Sequence, residues 1–442
     1  MSTLEIQAVE PRLSSKNVSN LNPALSRDSG QISTRETQML QAISDYIRSG
    51  ETEAESLGLE IEHFVVDGNG NQIPFDEISY LVNQVGRDLG AEILHTDGHA
   101  VGYLTDKYSI TLEPSCQFEI SINPYQELYE IERVYQEFLS LWEPLLEARG
   151  YRIVTRGVLP SVEQGLDPDK IPLSPKKRYK YMDSYFRESG KFGKYMMRSS
   201  ASTQVSIDYR SEEDLVKKLR ILQKISPILM IIMENKSDEA STLPGIPDKP
   251  HLLRIQEWED LDPARTGFYP NSLDPDFGYG KIADVVLHTP LILLTDKGWT
   301  GYVGSKTGAD LIADGTVYLN ESETIRRKKL IEHFISMGFF HFRIKKYIEI
   351  RVADSVPIRK ALGYAALLKG IVYSRSNLDI LDRELADVDD LEKIQDAVSA
   401  IESEGENAVI YQGKTAAEWA IYLVGLAWNS LSESEKEYLV HV

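Results

Sequence analysis

Arg343-Ile-Lys-Lys-Tyr-Ile-Glu-Ile-Arg-Val-Ala-Asp354 sets Glu349 and Arg351 two residues apart in an apolar strand, just after a cationic cluster. Side chains two apart on a strand point the same way, so Glu349 and Arg351 face together while Ile348, Ile350 and Val352 line the other side. The same device recurs twice upstream. Glu60 and Glu62 alternate with Leu59, Ile61 and His63, and Glu113, Gln117 and Glu119 lie in Leu112-Glu-Pro-Ser-Cys-Gln-Phe-Glu-Ile-Ser-Ile122. Three strands therefore bring carboxylates toward one site.

The rest of the chain bounds what such a site serves. Its 442 residues, 42% hydrophobic and 26% charged, have ordinary globular composition. That length allows two or three average domains or one large catalytic domain. A formal charge of -20 argues against a nucleic-acid partner or an anionic membrane surface, so small-molecule partners are expected, with any phosphate at a local cationic site. Cys116 is the single cysteine, which excludes an intrachain disulfide and makes a cytoplasmic location the expectation. The longest apolar run, near Ile228 to Met233, falls short of the roughly 18 residues a membrane span needs. No cationic start followed by an apolar stretch marks a secretory signal. A monomer or homodimer is expected.

Residues 1–36 mix Ser, Asn, Arg and Glu without a sustained period and read as a mobile tail ahead of a single catalytic domain at 37–442. Glu5, Glu10 and Asp28 are out of place in an organelle transit peptide. Periodicity predicts a helix from Glu36, a strand over 58–66, a long amphipathic helix through Ile131, Phe138 and Leu145, and a strand over 151–155. The proline-, lysine- and tyrosine-rich stretch 158–194 reads as a long surface loop. A strand over 199–209 follows, then a helix capped at Ser211, bent at Pro227 and ending near 234. Residues 254–258 read as a strand, 260–280 as a loop, and 357–375, 389–404 and 415–430 as helices. Strand-turn-strand steps mingled with helices favour an α+β fold.

Carboxylates gathered on one face are costly unless they hold cations, so a ring of Glu60, Glu62, Glu113, Glu119 and Glu349 would suit Mg²⁺ or Mn²⁺. No Cys/His spacing suits zinc. Arg198, Arg265, Arg343, Lys345, Lys346 and Arg351 sit beside the acidic motifs, where they suit a nucleotide's phosphates or an amino acid's carboxylate. Metal with arginine points to phosphoryl transfer, in which a protein mainly positions groups and neutralises charge. Neither a Walker-type loop nor a glycine-rich kinase loop is present. Plainer readings stand beside these: Glu60 and Glu62 as a solvated sheet face, Glu349 with Arg351 as a structural salt bridge, Gln204 as the polar side of its strand, Arg265 as a loop cap, Lys176 to Lys180 as a solvated run, and His63 and His333 as structural.

Five stretches in order resemble the glutamate-cysteine ligases, most closely the plant-type branch shared with many bacteria. They are Gly58-Leu-Glu-Ile-Glu-His63, Leu112-Glu-Pro-Ser-Cys-Gln-Phe-Glu-Ile120, Arg198-Ser-Ser-Ala-Ser-Thr-Gln-Val-Ser-Ile-Asp-Tyr209, Asp262-Pro-Ala-Arg-Thr-Gly267 and Arg343 to Asp354. The resemblance implies a glutamine-synthetase-like fold, a curved, mainly antiparallel sheet forming a funnel with helices packed outside. It implies ATP-dependent joining of the γ-carboxylate of L-glutamate to the amine of L-cysteine through γ-glutamyl phosphate, giving γ-glutamylcysteine, ADP and phosphate. The same mechanism with another amine or amino acid, or a non-catalytic ligand-binding relative, is the alternative. In that picture Glu60, Glu62, Glu113, Gln117, Glu119, Gln204 and Glu349 hold magnesium, Arg198, Arg265 and the Thr203 to Val205 backbone hold substrate, and Lys345 and Arg351 stabilise the transferring phosphoryl. Ser115, Cys116 and Val352 stand where the plant-type pattern has glycine, which adds side chains near the presumed site. Cys116, in an apolar strand, reads as a buried, inert thiol. The tail and the residues after about 375 carry no assignable motif.

Overall fold

Alternating polar and apolar residues fold the acidic and cationic motifs into neighbouring strands of one sheet. The computed structural model describes residues 34–237, 242–318 and 322–442. The expected tail lies outside them up to residue 33, and its last three residues already belong to the first helix, Thr34–Arg48. Strands in chain order are β1 (Leu57–Val66), β2 (Glu92–Thr96), β3 (His99–Leu104), β4 (Tyr108–Leu112), β5 (Phe118–Tyr125), β6 (Arg152–Val154), β7 (Ser202–Ile207), β8 (Thr266–Gly267), β9 (Pro290–Asp296), β10 (Trp299–Thr307), β11 (Phe339–Phe340), β12 (Phe342–Ile344) and β13 (Ile348–Asp354).

The main sheet runs β12-β13-β7-β1-β5-β4-β3-β2, with β6 pairing the end of β1. Its pairings are antiparallel and it is open, with β12 and β2 at the edges, so the expected α+β class with a mainly antiparallel sheet holds. One face is apolar: Leu57, Leu59, Ile61, Ile120, Ile110, Val205, Ile207, Ile348 and Ile350 are buried on it. The helices Leu128–Glu147, Glu212–Ile232 and Ile358–Val372 pack against that sheet. The other face carries the charged groups. Among the described residues, no helix is long and apolar enough to cross a membrane.

Local chemistry sets the elements around the sheet. Ser211 caps its helix as expected, its hydroxyl accepting from Asp214 N at 3.2 Å. Gly50 ends the turn after the first helix, where an added Cβ would lie 2.2 Å from the Lys346 carbonyl. Tyr209 Oη donates to Ile47 O at 2.5 Å and lies 3.1 Å from Lys345 O. These contacts fix the Lys345–Tyr347 turn.

Three expectations change. The stretch 158–194 is not a loop; it holds the helices Pro160–Glu163 and Lys177–Ser189 and the start of Gly193–Ser199. Tyr179, Met182 and Phe186, spaced by three and four, bury one face of the second. Arg198 therefore sits on a helix and not in a strand. Residues 254–258 belong to the helix Leu253–Glu259, which starts after Leu252 in a left-handed conformation (φ 57°). Leu253 to Glu257 are buried all round, so no amphipathic period marks it.

Trp142 is fully buried, donates to Tyr103 Oη at 3.0 Å and packs edge-on against Phe118 at 4.6 Å. Trp142→Ala is expected to destabilise the protein by about 3–5 kcal/mol. Truncation of the exposed Trp299 should change stability by no more than about 0.5 kcal/mol. Urea unfolding midpoints of the two variants measure the contrast, and equal midpoints would contradict the core placement of Trp142.

Candidate active site

Strand register gathers the three motifs on the polar face. Glu60 stands opposite Gln204 on one side and Ser121 on the other, Glu62 opposite Glu119, Glu119 opposite Thr111, and Glu349 between Arg343 and Ser206. Above them lies a pocket of about 310 Å³, walled by Glu60, Glu62, Glu113, Gln117, Glu119, Gln204, Arg178, Arg343, Lys345 and Arg351. Pro114, Tyr179, Met182, Met196, Trp258 and Phe339 supply most of the rest of the wall.

Glu349 is 0% exposed and takes three cations: Arg343 Nε at 2.6 Å, Lys345 Nζ at 2.5 Å and Arg351 Nη1 at 3.1 Å. Burial alone would raise its pKa, but Arg343, Lys345 and Arg351 hold it well below the usual carboxylate range. Glu349 does not line the pocket; it lies beneath the cations that do. Arg351 also donates to Gln204 Oε1 at 2.6 Å, while Arg254, buried behind it, donates to the Arg351 carbonyl at 2.8 Å.

Glu60, Glu62 and Glu119 have the opposite electrostatics. Burial, then repulsion from neighbouring carboxylates, raises Glu60 and Glu119 and lifts Glu62 to about 7. Glu62 accepts from Ser202 N at 2.6 Å and Ser202 Oγ at 3.0 Å, and Glu119 accepts from Thr111 Oγ1 at 2.7 Å. Tyr179 Oη lies 3.3 Å from Glu113 Oε2. Buried carboxylates that resist ionisation lack positive charge. Their hard oxygen donors fit Mg²⁺ or Mn²⁺. Among the described residues no three His, Cys, Asp or Glu side chains form a ready cage for one metal ion. Mg²⁺ at phosphate sites needs only one or two carboxylates, the rest of its shell being water and phosphate oxygens.

Other residues named from the sequence lie elsewhere. Gln117 lines the pocket, but its amide is occupied, accepting from Ser115 N at 2.7 Å and donating to Ser200 O at 3.0 Å. Thr203 and Val205 sit opposite Ile61 and Leu59, with their side chains on the core side. Arg198 grips Asp183 through both terminal nitrogens and donates to Ile171 O at 3.1 Å. Arg265, 0% exposed, donates to Asp262 Oδ2 at 2.8 Å and to Pro290 O at 2.5 Å, and its guanidinium lies 5.0 Å from the Tyr185 ring centroid. Both arginines anchor the Lys177–Ser189 helix from outside the pocket wall.

A further cation that reaches the wall beside Arg343, Lys345 and Arg351 is Arg178, within the run read as solvated. Among the described residues its buried Nε has no hydrogen-bond partner. Lys176 is also buried, with Nζ donating to Leu112 O at 2.5 Å. The three-and-four spacing of Tyr179, Met182 and Phe186 is the signal that marks this helix.

Of the positions that depart from the plant-type pattern, none lines the pocket. Glu113 and Gln117 close a three-residue hairpin loop, with Glu113 N donating to Gln117 O at 2.9 Å. Cys116 is its left-handed residue (φ 66°), the place such loops usually give to glycine. The thiol is buried and pushed up to about 11, as expected of an inert cysteine. Val352 is buried in the core, at a register shift between Ile350 and Ala353.

Residues 56–421 match the family model described as glutamate-cysteine ligase family 2 (GCS2). Over 353 residues the chain is 28% identical to the chloroplastic glutamate-cysteine ligase of Medicago truncatula, covering 77% of this chain and 66% of that protein. Over 337 residues it is 26% identical to the chloroplastic glutamate-cysteine ligase B of Oryza sativa subsp. japonica, covering 76% and 64%. The chain thus spans just under two thirds of the length of these relatives. A crystal structure of the Francisella tularensis glutamate-cysteine ligase in complex with AMP aligns with a TM-score of 0.47 at 13% identity, covering 88% of this chain and 81% of that one. The chloroplastic relatives overturn the cytoplasmic expectation. A lone cysteine excludes an intrachain disulfide, but that does not distinguish one reducing compartment from another.

Glu62 titrates near 7 in the folded chain against an ordinary 4.5, so the folded state binds the extra proton between those values. Glu62 therefore contributes stability to the metal-free protein that is lost as pH rises from about 4.5 to about 7. Glu62→Gln should flatten part of that slope, and Mg²⁺ should raise the wild-type melting temperature above pH 7. Fluorimetric melts across pH measure both; an unchanged slope in Glu62→Gln would remove Glu62 as its source.

Proposed function

The chain belongs to glutamate-cysteine ligase family 2, and from that membership and the charge layout of the pocket we propose that it joins the γ-carboxylate of L-glutamate to the amine of L-cysteine at the expense of ATP. The observation that carries the reading is the pairing, in one pocket, of carboxylates short of positive charge with three cations held by a buried glutamate. Phosphoryl transfer needs both: acids to hold the divalent cation that accompanies ATP, and fixed cations facing the transferred phosphoryl.

Glu60, Glu62, Glu113 and Glu119 would hold Mg²⁺, which when bound neutralises phosphate charge. Arg343, Lys345 and Arg351 need little reorganisation to meet the phosphoryl, because Glu349 fixes their positions beforehand. Arg178, with its unpaired buried Nε, takes a substrate carboxylate. The γ-carboxylate oxygen bonds to the terminal phosphorus as ADP leaves, and the acceptor nitrogen then attacks the acyl carbon and releases phosphate. Met182, Met196, Trp258 and Phe339 offer the acceptor side chain two thioethers and two rings, a surface suited to a small, polarisable thiol. An acceptor of similar size keeps the same mechanism and would change only this contact.

ADP release with Mg²⁺, ATP and L-glutamate should be greatest with L-cysteine across a panel of amines and give a γ-glutamylcysteine mass. A different best acceptor would reassign the second substrate, and no turnover with any acceptor in folded protein would leave a ligand-binding relative. Glu349→Gln should cut ADP release at least about 100-fold, because it frees the cations it positions. Arg178→Met should raise the glutamate KM at least about tenfold with a smaller effect on the ATP KM; an unchanged glutamate KM would place the carboxylate elsewhere.

A further inference from the structure

The strand carrying Arg351 is irregular where it meets β7. Ile350 stands opposite Val205 and Ala353 opposite Thr203, so Arg351 and Val352 together face Gln204 alone. This is a β-bulge, which re-aims a side chain and interrupts the ladder that would otherwise hold the backbone there. The helix Leu253–Glu259 supplies a hold at three points. Arg254 Nη2 donates to the Arg351 carbonyl at 2.8 Å. Four residues on, the Trp258 ring centroid lies 5.9 Å from the Arg351 guanidinium, within reach of a cation–π contact. Glu259 Oε1 is 3.4 Å from His341 Nε2, and the His341 carbonyl accepts from Arg351 N at 2.9 Å. Both backbone groups and the charged end of Arg351 thus refer to one short helix. Arg343, by contrast, stands in regular register opposite Glu349.

Resting on the ligase reading above, we propose that this helix is the mount that aims Arg351 at the transferred phosphoryl, with Arg254 a positioning residue that acts through the bulge carbonyl. Glu349 fixes the guanidinium end of Arg351 and the helix fixes the backbone end, so the side chain is held at both. A cation gains its effect from standing in place before the reaction, and a displacement of about 1 Å can cost about 100-fold in rate. Arg254 is 4% exposed, and among the described residues its Nε and Nη1 have no hydrogen-bond partner, so the bond to Arg351 is the one its side chain makes there. Burying a guanidinium is costly, and an apolar side chain would pack there without that penalty; what the arginine adds is a donor at the bulge. Burial raises Glu257, Asp354 and Glu62, and the Arg254 charge offsets part of that rise in each.

The test is a double-mutant cycle on the full chain, reading ADP release with Mg²⁺, ATP, L-glutamate and L-cysteine. Arg254→Met should lower kcat at least about 30-fold, with the ATP and glutamate KM within about threefold of wild type. Added to Arg351→Met, it should lower kcat by less than about twofold more, because the side chain it aims is gone. An effect through Glu62 or through general stability would persist in that background. Glu259→Ala, at a half-buried position, repeats the cycle with a smaller loss of about fivefold should Arg254→Met not fold. Equal losses with and without the Arg351 side chain, or wild-type kcat in either variant that folds, would overturn the mount. Failure of the ligase reading looks different: no glutamate-dependent ADP release in wild type. The mount is then read in crystal structures of the same variants, where Arg351 Nη1 should lie beyond about 3.5 Å from Gln204 Oε1. An unchanged hydrogen bond between Arg351 and Gln204 would overturn it.

Discussion

Glu349 is the constraint around which the polar face is arranged. A carboxylate with no solvent exposure is stable as an anion only if cations and donors replace the water it lost, and here three cations do so. The benefit runs both ways. Arg343, Lys345 and Arg351 have long, flexible stems, and the buried acid holds their charged ends in one place while one charge balances three. The excess positive charge faces the pocket, opposite carboxylates whose pKa values burial and mutual repulsion raise. Each half of the site supplies the charge a metal-bound triphosphate would need from the other.

Rigid placement extends outward through Arg198 and Arg265. Each is buried with its own aspartate, Asp183 or Asp262, and each ties the Lys177–Ser189 helix to surrounding backbone. Tyr185 donates to Asp262 at 2.7 Å, which links the Arg265 cluster to the helix that brings Arg178, Tyr179 and Met182 to the pocket. Buried pairs of this kind add little net stability over an apolar pair of the same shape, but removing one member leaves a buried charge uncompensated. Their contribution here is to geometry, and it explains how arginines outside the wall still bear on what the wall does.

Period-two alternation made the strands legible, because a sheet with one apolar and one charged face writes its register directly into the sequence. Glu60, Glu62, Glu119, Glu349 and Arg351 stand out that way, and strand pairing gathers them, whereas a site role for Gln204 came only from the family resemblance. The helices over 177–189 and 253–259 were missed for different reasons. The first has a clear three-and-four pattern hidden among prolines and lysines, and Arg178 inside it looked solvated. The second is buried all round, so it shows no stripe, and its apolar residues imitate a short strand. Alternation also cannot distinguish a carboxylate that faces the pocket from one sealed beneath cations: Glu349 and Glu60 share a face, yet only Glu60 lines the cavity.

The substitutions of family glycines carry a related lesson about volume. Added side chains at 115, 116 and 352 would reshape the presumed site only if they point into it. Ser115 and Cys116 instead sit in a hairpin loop whose left-handed position favours glycine for backbone reasons, and Val352 turns into the core. The Cys116 side chain accepts a strained φ and is buried, so its cost falls on the loop and not on the pocket. Under the proposed ligase reading, acceptor selection would rest on side chains the glycine pattern never mentions, above all the Met182, Met196, Trp258 and Phe339 wall. Three of these stand on the helices over 177–189, 193–199 and 253–259, so the contacts that would discriminate between amines belong to the part of the fold least visible in the sequence.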